Sequence, residues 1–221
     1  MKVPVYFAPV REKESPDLIE KKILALYDEA GFDHCITQND IVAIKMHFGE
    51  KGNVTHISPR YVRPIVTKIK QGGGIPFLTD TNVLYRSERS HAITHLQVAH
   101  SHGFTLENTG APVIIADGLI GSNETEVKIP GQIYSEVSLA TEAVMANALM
   151  VLSHVTGHMA TGLGATLKNL GMGLASRKGK LRQHSGMRPR IDAYRCTGCE
   201  LCLKWCPERA ISMKAQVAAI T

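Results

Sequence analysis

The sequence is poor in aromatic residues, which make up 5% of its 221 positions. It also contains no apolar run near the ~18 residues that a membrane-spanning helix needs. The amino terminus lacks the positively charged start, apolar stretch and small-residue cleavage site of a secretory signal peptide. We therefore expect an aliphatic core and a cytoplasmic protein that does not enter a membrane.

Cysteine is scarce outside one short segment. Four of the five cysteines lie between residues 196 and 206, and the fifth, Cys35, stands alone. This distribution does not fit a disulfide framework. A cluster of thiols in a reducing compartment more often serves metal binding or redox chemistry.

The cysteine segment, residues 195–207, has the spacing C-x2-C-x2-C-x3-C-P. Bacterial-type ferredoxins use this run to bind a [4Fe–4S] cluster through thiolates. Zinc sites more often pair two C-x2-C units across a longer spacer or add histidines, so a zinc knuckle fits less well. The predicted cluster ligands are Cys196, Cys199, Cys202 and Cys206.

The last cysteine of the run raises a question of ligand count. In two-cluster ferredoxins the fourth cysteine of such a run binds the other cluster. No second run follows, and 15 residues remain after Cys206. The fourth ligand would then come from a continuation of the chain, from Cys35 or from a small exogenous molecule. We favour a module that is incomplete at its carboxy-terminal end, with ligation by all four local cysteines as the alternative.

Acidic residues are absent between Glu142 and Asp192, a stretch that holds seven lysines and arginines. The net charge of +5 is therefore concentrated there, since the rest of the chain has 18 basic and 20 acidic residues. This basic block favours an anionic small molecule or an acidic redox partner protein, unless it is simply a solvated face. It lacks interleaved aromatic residues and any recognisable nucleic-acid-reading module, so we expect no nucleic-acid partner.

Short apolar segments alternate with segments of helical periodicity. Strands are predicted at residues 2–8, 40–46, 75–79, 112–116 and 148–153, and helices at residues 16–30, 58–70, 87–103 and 137–146. A Pro-Gly turn predicts a hairpin over residues 127–134. The alternation predicts an α/β domain over residues 1–190, with a largely parallel sheet and helices on both faces. A small ferredoxin-like iron–sulfur module is predicted at residues 191–221.

Polar residues recur directly after the predicted strands. Ligands of open α/β sheets bind beyond the carboxyl ends of the strands, where these residues would lie. A single polar residue at such a place is often a helix cap, but the recurrence favours a binding or catalytic site. The candidate catalytic residues are Lys45, Asp117 and Lys168.

The histidines after two of these strands suggest a second metal site. His47, His154, His158 and Asp117 form a nitrogen and oxygen donor set that suits zinc, iron or manganese. The alternative is that each histidine simply donates to a backbone carbonyl. His91 and His95, in contrast, lie on a predicted amphipathic helix and are interpreted as surface residues.

A glycine-rich segment, residues 161–173, leads into the basic block. Closely spaced glycines allow backbone N–H groups to approach an anion. Lys168, Lys180 and His184 are the predicted anion-binding residues. Tight packing of a helix against the sheet is the plain alternative for these glycines.

Several of these segments resemble an uncharacterised family of iron–sulfur proteins, domain of unknown function 362. The resemblance is carried by residues 45–50, 79–85, 115–121 and 157–173, together with Gly179, Lys180 and His184. It covers about residues 41–207 and is most specific over residues 167–173. It implies an α/β domain followed by ferredoxin-type cysteine runs, commonly two, whereas this chain has one. No reaction comes with the resemblance.

The leading hypothesis is an iron–sulfur protein that transfers single electrons to or from a site at the carboxyl edge of the sheet. One alternative is a metal-dependent enzyme at the strand ends, in which the cluster is structural. Another is a binding module whose cluster only stabilises the fold of the carboxy-terminal segment.

Overall fold

A computed structural model describes residues 3–159, 161–184, 190–206 and 209–220. Contacts between residues divide the chain into two compact units, Met1–Gln183 and His184–Thr221. Lys2 of the predicted first strand, Arg188 of the basic block and Pro207 of the cysteine segment lie outside the described residues.

A parallel four-stranded sheet forms the centre of the first unit. The strands of this unit are β1 (Ile41–Lys45), β2 (Ile75–Asp80), β3 (Val113–Ile115), β4 (Glu124–Lys128), β5 (Glu136–Ala140), β6 (Ala148–Val151), β7 (Thr156–His158) and β8 (Gly162–Gly164). The sheet has the order β3–β2–β1–β6, and all its pairs are parallel. β4 pairs with β5, and β7 with β8, in separate antiparallel hairpins.

The helices of this unit connect and cover the strands. They are α1 (Pro16–Glu29), α2 (Pro59–Gln71), α3 (Ala92–Ser101), α4 (Leu106–Thr109), α5 (Thr141–Met145), α6 (Thr166–Gly171) and α7 (Arg177–His184), the last of which ends in the second unit. α1 and α2 each begin after a serine N-cap with proline in the first turn. Among the described residues, no helix is long and apolar enough to cross a membrane.

The core lies on both faces of the central strands. Val42, Ala43, Ile44 and Lys45 are all buried, and successive side chains of a strand point to opposite faces. β1 is therefore covered on both sides, as in parallel sheets generally. α2 contributes Val62, Val66 and Ile69, whose spacing places them on one face of the helix.

The strands predicted at residues 40–46, 75–79, 112–116 and 148–153 are confirmed, but the one at residues 2–8 is wrong. Residues 3–10 form no regular secondary structure, and Val5 is 89% exposed. Pro4 and Pro9 explain the difference, because proline removes a backbone donor that pairing within a sheet requires.

Two predicted helices also begin later than expected. Residues 84–91 form bends and turns, and α3 starts only at Ala92. Residues 136–140 are strand β5 rather than helix, so the hairpin extends over Glu124–Ala140. The surface interpretation of His95 is wrong, because its side chain is fully buried.

The second unit is small. It contains α8 (Leu201–Trp205) and a hairpin of β9 (Ile211–Lys214) and β10 (Val217–Ile220). Ala215 and Gln216 connect the two strands with φ of 45° and 66°. Two successive residues with positive φ are typical of the type I′ turn, which matches the twist of a hairpin.

Candidate functional site

The order of the sheet places its topological switch point between β1 and β6. Strand order runs in opposite directions on the two sides of this pair, and such a switch point is where open α/β sheets bind ligands. His47 follows β1 and His154 follows β6, and their ring centroids are 6.2 Å apart. The fold thus brings two of the predicted site histidines together.

A buried charge cluster, Lys45, Asp80, Arg89 and His95, lies at the carboxyl ends of β1 and β2. Asp80 binds Lys45 Nζ at 3.0 Å through Oδ1 and Arg89 Nη2 at 2.9 Å through Oδ2. Burial alone would raise the pKa of Asp80, but the two cations hold it well below its usual range. Asp80 is therefore ionised and doubly paired.

Lys45 links the charge cluster to β6 through α6. Its ammonium group donates to the Oδ1 atom of Asn169 and to the carbonyl oxygen of Met46, in addition to Asp80. Asn169 Nδ2 in turn donates to the Leu152 carbonyl and to Ser153 Oγ. An ammonium group has three N–H donors, so these acceptors account for all the bonds that Lys45 can make.

Arg89 closes the same edge from the turn before α3. It donates to Glu50 Oε1 at 2.6 Å and to His95 Nε2 at 3.2 Å, besides Asp80. Glu50 also accepts bonds from Tyr85 and Ser87. The segment between β2 and α3 is therefore held against the loop that follows β1.

Each ring nitrogen of His47 has an N–H group close by, although a neutral ring accepts a hydrogen bond at only one nitrogen. Gly49 N–H donates to Nδ1 at 2.9 Å, and Arg89 Nη1 lies 2.8 Å from Nε2. Burial, together with the nearby guanidinium, lowers the pKa of His47 to about 4, so the ring is neutral at pH 7. A metal ion bound to this ring would have to displace one of the two donors.

Asp117 and Lys180 form a second buried group after β3. Asp117 accepts bonds from the backbone and side-chain N–H groups of Asn82, and burial raises its pKa to about 6 against the opposing charge of Lys180. Lys180 donates to Thr81 Oγ1 and to the Ala175 carbonyl, each at 2.6 Å. Burial lowers the pKa of Lys180 to about 8.

The other predicted site residues lie at the surface or near it. His158 is half-buried in the β7–β8 hairpin, where its Nδ1 accepts from Thr161 N–H at 3.1 Å. Lys168 on α6 and His184 at the end of α7 are exposed, whereas Lys180 is buried. The three predicted anion-binding residues therefore differ in their access to solvent.

The described part of the chain contains no group of three or more histidine, cysteine or acidic side chains that could hold a metal ion. Asp117 is bonded to Asn82, and both nitrogens of His47 face donors. A second metal bound by His47, His154, His158 and Asp117 stays a prediction.

The described part of the cysteine segment, residues 195–206, is called the cysteine loop below. Two of its residues have positive φ, Gly198 at 69° and Glu200 at 58°. A Cβ atom at Gly198 would lie 2.9 Å from the Gln216 carbonyl oxygen, so the loop approaches the hairpin backbone closely. Cys196 Sγ accepts the Ala218 N–H at 3.5 Å. All four cysteines of the loop, and also Cys35, are free thiols.

The pKa of the Cys199 thiol is lowered by its polar neighbours. Its sulfur accepts a bond from the Leu201 N–H and another from the Thr197 side chain, and these bonds lower its pKa. Hydrogen bonds to sulfur favour the thiolate, the form in which cysteine binds metals.

Sequence reasoning missed Arg89, His95 and Asn169 as members of the strand-end site. Arg89 lies in a polar run, residues 86–90, that has the composition of an exposed turn. Nothing in that pattern shows that its guanidinium folds back onto Asp80. The pairing depends on contacts between distant parts of the chain.

Comparison with known proteins gives one match. The model of the family described as Domain of unknown function (DUF362) matches residues 42–218, well over half of the chain. No curated protein and no solved structure matches this chain. The matched range includes the charge cluster, the glycine-rich segment and the cysteine loop. The protein thus belongs to the DUF362 family.

Proposed function

We propose that the protein is an iron–sulfur redox protein whose carboxy-terminal unit binds a [4Fe–4S] cluster. The observation that carries the proposal is the ferredoxin-type spacing of Cys196, Cys199, Cys202 and Cys206 in one loop and helix. The bound cluster would supply one-electron transfer.

The surroundings of the cysteines support this assignment. Backbone N–H groups of Ala218 and Leu201 point at the sulfurs of Cys196 and Cys199. Hydrogen bonds of this kind set the reduction potential of iron–sulfur clusters. In donor chemistry and polar environment the cysteines suit such a cluster, although the described side chains are not gathered into a metal-binding group.

The α/β unit would bind the group that exchanges electrons with the cluster, at the carboxyl edge of its sheet. Lys180 and the exposed Lys168 supply positive charge for an anionic small molecule. The basic block would equally suit the acidic surface of a redox partner protein.

Anaerobic purification followed by iron and sulfide analysis and EPR of the reduced protein tests the proposal. We expect iron and sulfide in equal amounts and an EPR signal that is lost in Cys202→Ser. Cys35→Ser removes an exposed thiol outside the cysteine loop and shows whether Cys35 supplies the fourth ligand: the EPR signal stays if it does not and changes if it does. A colourless protein with stoichiometric zinc would rule the proposal out.

A second candidate function rests on the titratable pair after β3. Asp117, with a pKa of about 6, and Lys180, with a pKa of about 8, are shifted towards neutrality as acid–base catalysts are. The protein would then be a metal-dependent enzyme with a structural cluster. Metal analysis of Cys196→Ala separates the two functions: a metal retained after loss of the cluster favours the enzyme, and a metal-free protein counts against it.

A further inference from the structure

Residues 3–8, which we call the amino-terminal arm, have the side chains of a strand but no strand to pair with. Val3, Val5 and Phe7 occupy alternate positions of the arm and are between 81% and 89% exposed. Alternating β-branched and aromatic residues are typical of strands, in which they pack against the side chains of neighbouring strands. The arm therefore presents an apolar side that has no partner within the described chain.

The arm is anchored to the rest of the protein only at its carboxy-terminal end. Lys22 of α1 donates to the Pro9 carbonyl oxygen, and Glu14 accepts a bond from the Arg11 backbone N–H. No hydrogen bond joins residues 3–8 to another described residue. An extended segment of this length spans about 20 Å, so the arm can reach a neighbouring molecule.

The central sheet has an uncovered edge at β6. This strand is the last in the order β3–β2–β1–β6, and none of its four residues is buried. The Leu152 N–H donates to the Lys45 carbonyl oxygen of β1. Because the backbone groups of a strand alternate between its two edges, those of Leu149 and Val151 face away from β1. No described residue is hydrogen-bonded to them.

The unpaired N–H and C=O groups of an edge strand are a template for a further strand. β6 has four residues, whereas β3 at the opposite edge has three. We propose that two copies of the protein exchange their arms, so that residues 3–8 of each copy pair with β6 of the other. Such an exchange is isologous, because both copies use the same surface, and it is a low-cost route to a dimer.

Pro4 determines which residues of the arm face β6. Proline has no N–H group, and it is tolerated in an edge strand where its nitrogen faces solvent. Pairing through the N–H groups of Val3, Val5 and Phe7 places Pro4 on the outer side of the added strand. A proline at that outer edge hinders the addition of another strand, which limits the assembly to two copies.

The exchange would cover apolar surface that a single copy exposes. The two Phe7 rings alone would bury about 300–500 Å², a sizeable part of the roughly 1,200–2,000 Å² that stable protein interfaces bury. Neither the arm nor β6 contains a charged residue, so their pairing buries no ion without a partner. Both elements lie within Met1–Gln183, so the proposed contact involves no residue of the cysteine loop.

Sedimentation equilibrium tests the exchange, in a buffer with reductant so that exposed cysteines do not link the copies. We expect the wild-type chain to associate, as its concentration rises, into a species of twice the 24.1 kDa polypeptide mass. Val5→Pro should raise the dissociation constant of this dimer by about tenfold or more, because it removes a pairing N–H from both exchanged arms. Tyr6→Pro is the matched control, since the Tyr6 backbone faces outward as that of Pro4 does, and its dimer should stay near the wild-type affinity.

Amide hydrogen exchange locates the pairing. We expect slow exchange at Phe7 and Leu149 in the wild-type dimer and faster exchange at both in Val5→Pro. Far-ultraviolet circular dichroism checks that Val5→Pro is folded, which we expect because the exposed arm lies outside the core. A wild-type chain that is monomeric at every concentration would overturn the proposal, and so would a folded Val5→Pro variant that dimerises like the wild type. Equal weakening in Val5→Pro and Tyr6→Pro, or protection of Phe7 in the monomer, would also contradict it.

Discussion

The two units of the chain differ in how their polar side chains find partners. In the α/β unit, Asp80 is buried but ionised, because Lys45 and Arg89 bind its two oxygens. In the carboxy-terminal unit, Cys199 and Cys202 are free and exposed. The α/β unit therefore completes its strand-end site with its own residues, whereas the cysteine loop presents sulfurs that a bound group would use. This comparison predicts that the two units respond differently to mutation, pH and cluster removal.

The largest expected effect comes from breaking the charge cluster. Lys45→Met leaves Asp80 with one cation and frees Asn169, and removing one partner of a buried pair costs about 3–5 kcal/mol. We expect the free energy of unfolding of the α/β unit to fall by this amount in urea denaturation. Iron content per folded chain should stay at the wild-type value.

Lys168→Met is the control for this prediction, because Lys168 is an exposed lysine of the same unit. It should change the free energy of unfolding by no more than about 0.5 kcal/mol, as surface substitutions usually do. If Lys45→Met were equally harmless, the charge cluster would not hold the sheet edge together.

The second prediction concerns the pH dependence of stability. The pKa of Lys180 is lowered to about 8 in the folded protein from an ordinary value of 10.5. Between these two pH values the Lys180 side chain is protonated in the unfolded chain and largely deprotonated in the folded protein. Stability contributed by this group therefore rises with pH across that window, by up to roughly 3 kcal/mol. The rise should disappear in Lys180→Met.

The difference in the free energy of unfolding between the wild-type protein and Lys180→Met, measured at each pH, isolates this effect. The other lysines and the tyrosines titrate in both proteins and cancel. A difference that stays constant from pH 8 to pH 10.5 would mean that the folded state does not lower the pKa of Lys180.

The third prediction sharpens the contrast between the units. Removal of the proposed cluster by an anaerobic chelator should raise amide hydrogen exchange over residues 190–206 and 209–220 by about tenfold or more, because the binding free energy of a metal group is also folding free energy. Amides of β1 and β2 should keep their protection, since the charge cluster needs no bound group. Equal loss of protection in both units would contradict the comparison.

Much of the sheet could be predicted from the sequence, because its strands are short apolar runs between helical segments. β1 and β2 are nearly continuous runs of buried residues, which is the pattern of strands covered on both faces. Residues 2–8 also have the apolar pattern of a strand, but they contain a proline. In the structure residues 3–10 pair with no strand. Residue composition alone predicts a strand here, but a strand forms only where its backbone can pair with a neighbouring strand.

The strand-end site was predicted in part. Lys45, His47 and Asp117 could be found because Lys45 ends β1, the other two follow strands, and parallel strands bring their ends to one edge. Arg89 and His95 could not, because the sequence predicts one amphipathic helix over residues 87–103, which contains both. The actual start of α3 at Ala92 leaves Arg89 in a turn, from which it reaches Asp80. Only the tertiary fold provides that contact.

Native mass spectrometry of the anaerobically purified chain tests most directly whether the cysteine loop binds a [4Fe–4S] cluster, because it measures the mass of the bound group. We expect a folded species heavier than the 24.1 kDa polypeptide by the mass of one [4Fe–4S] cluster, and a Cys202→Ser protein without that added mass. A wild-type protein at the bare polypeptide mass, or carrying zinc alone at the cysteine loop, would contradict it.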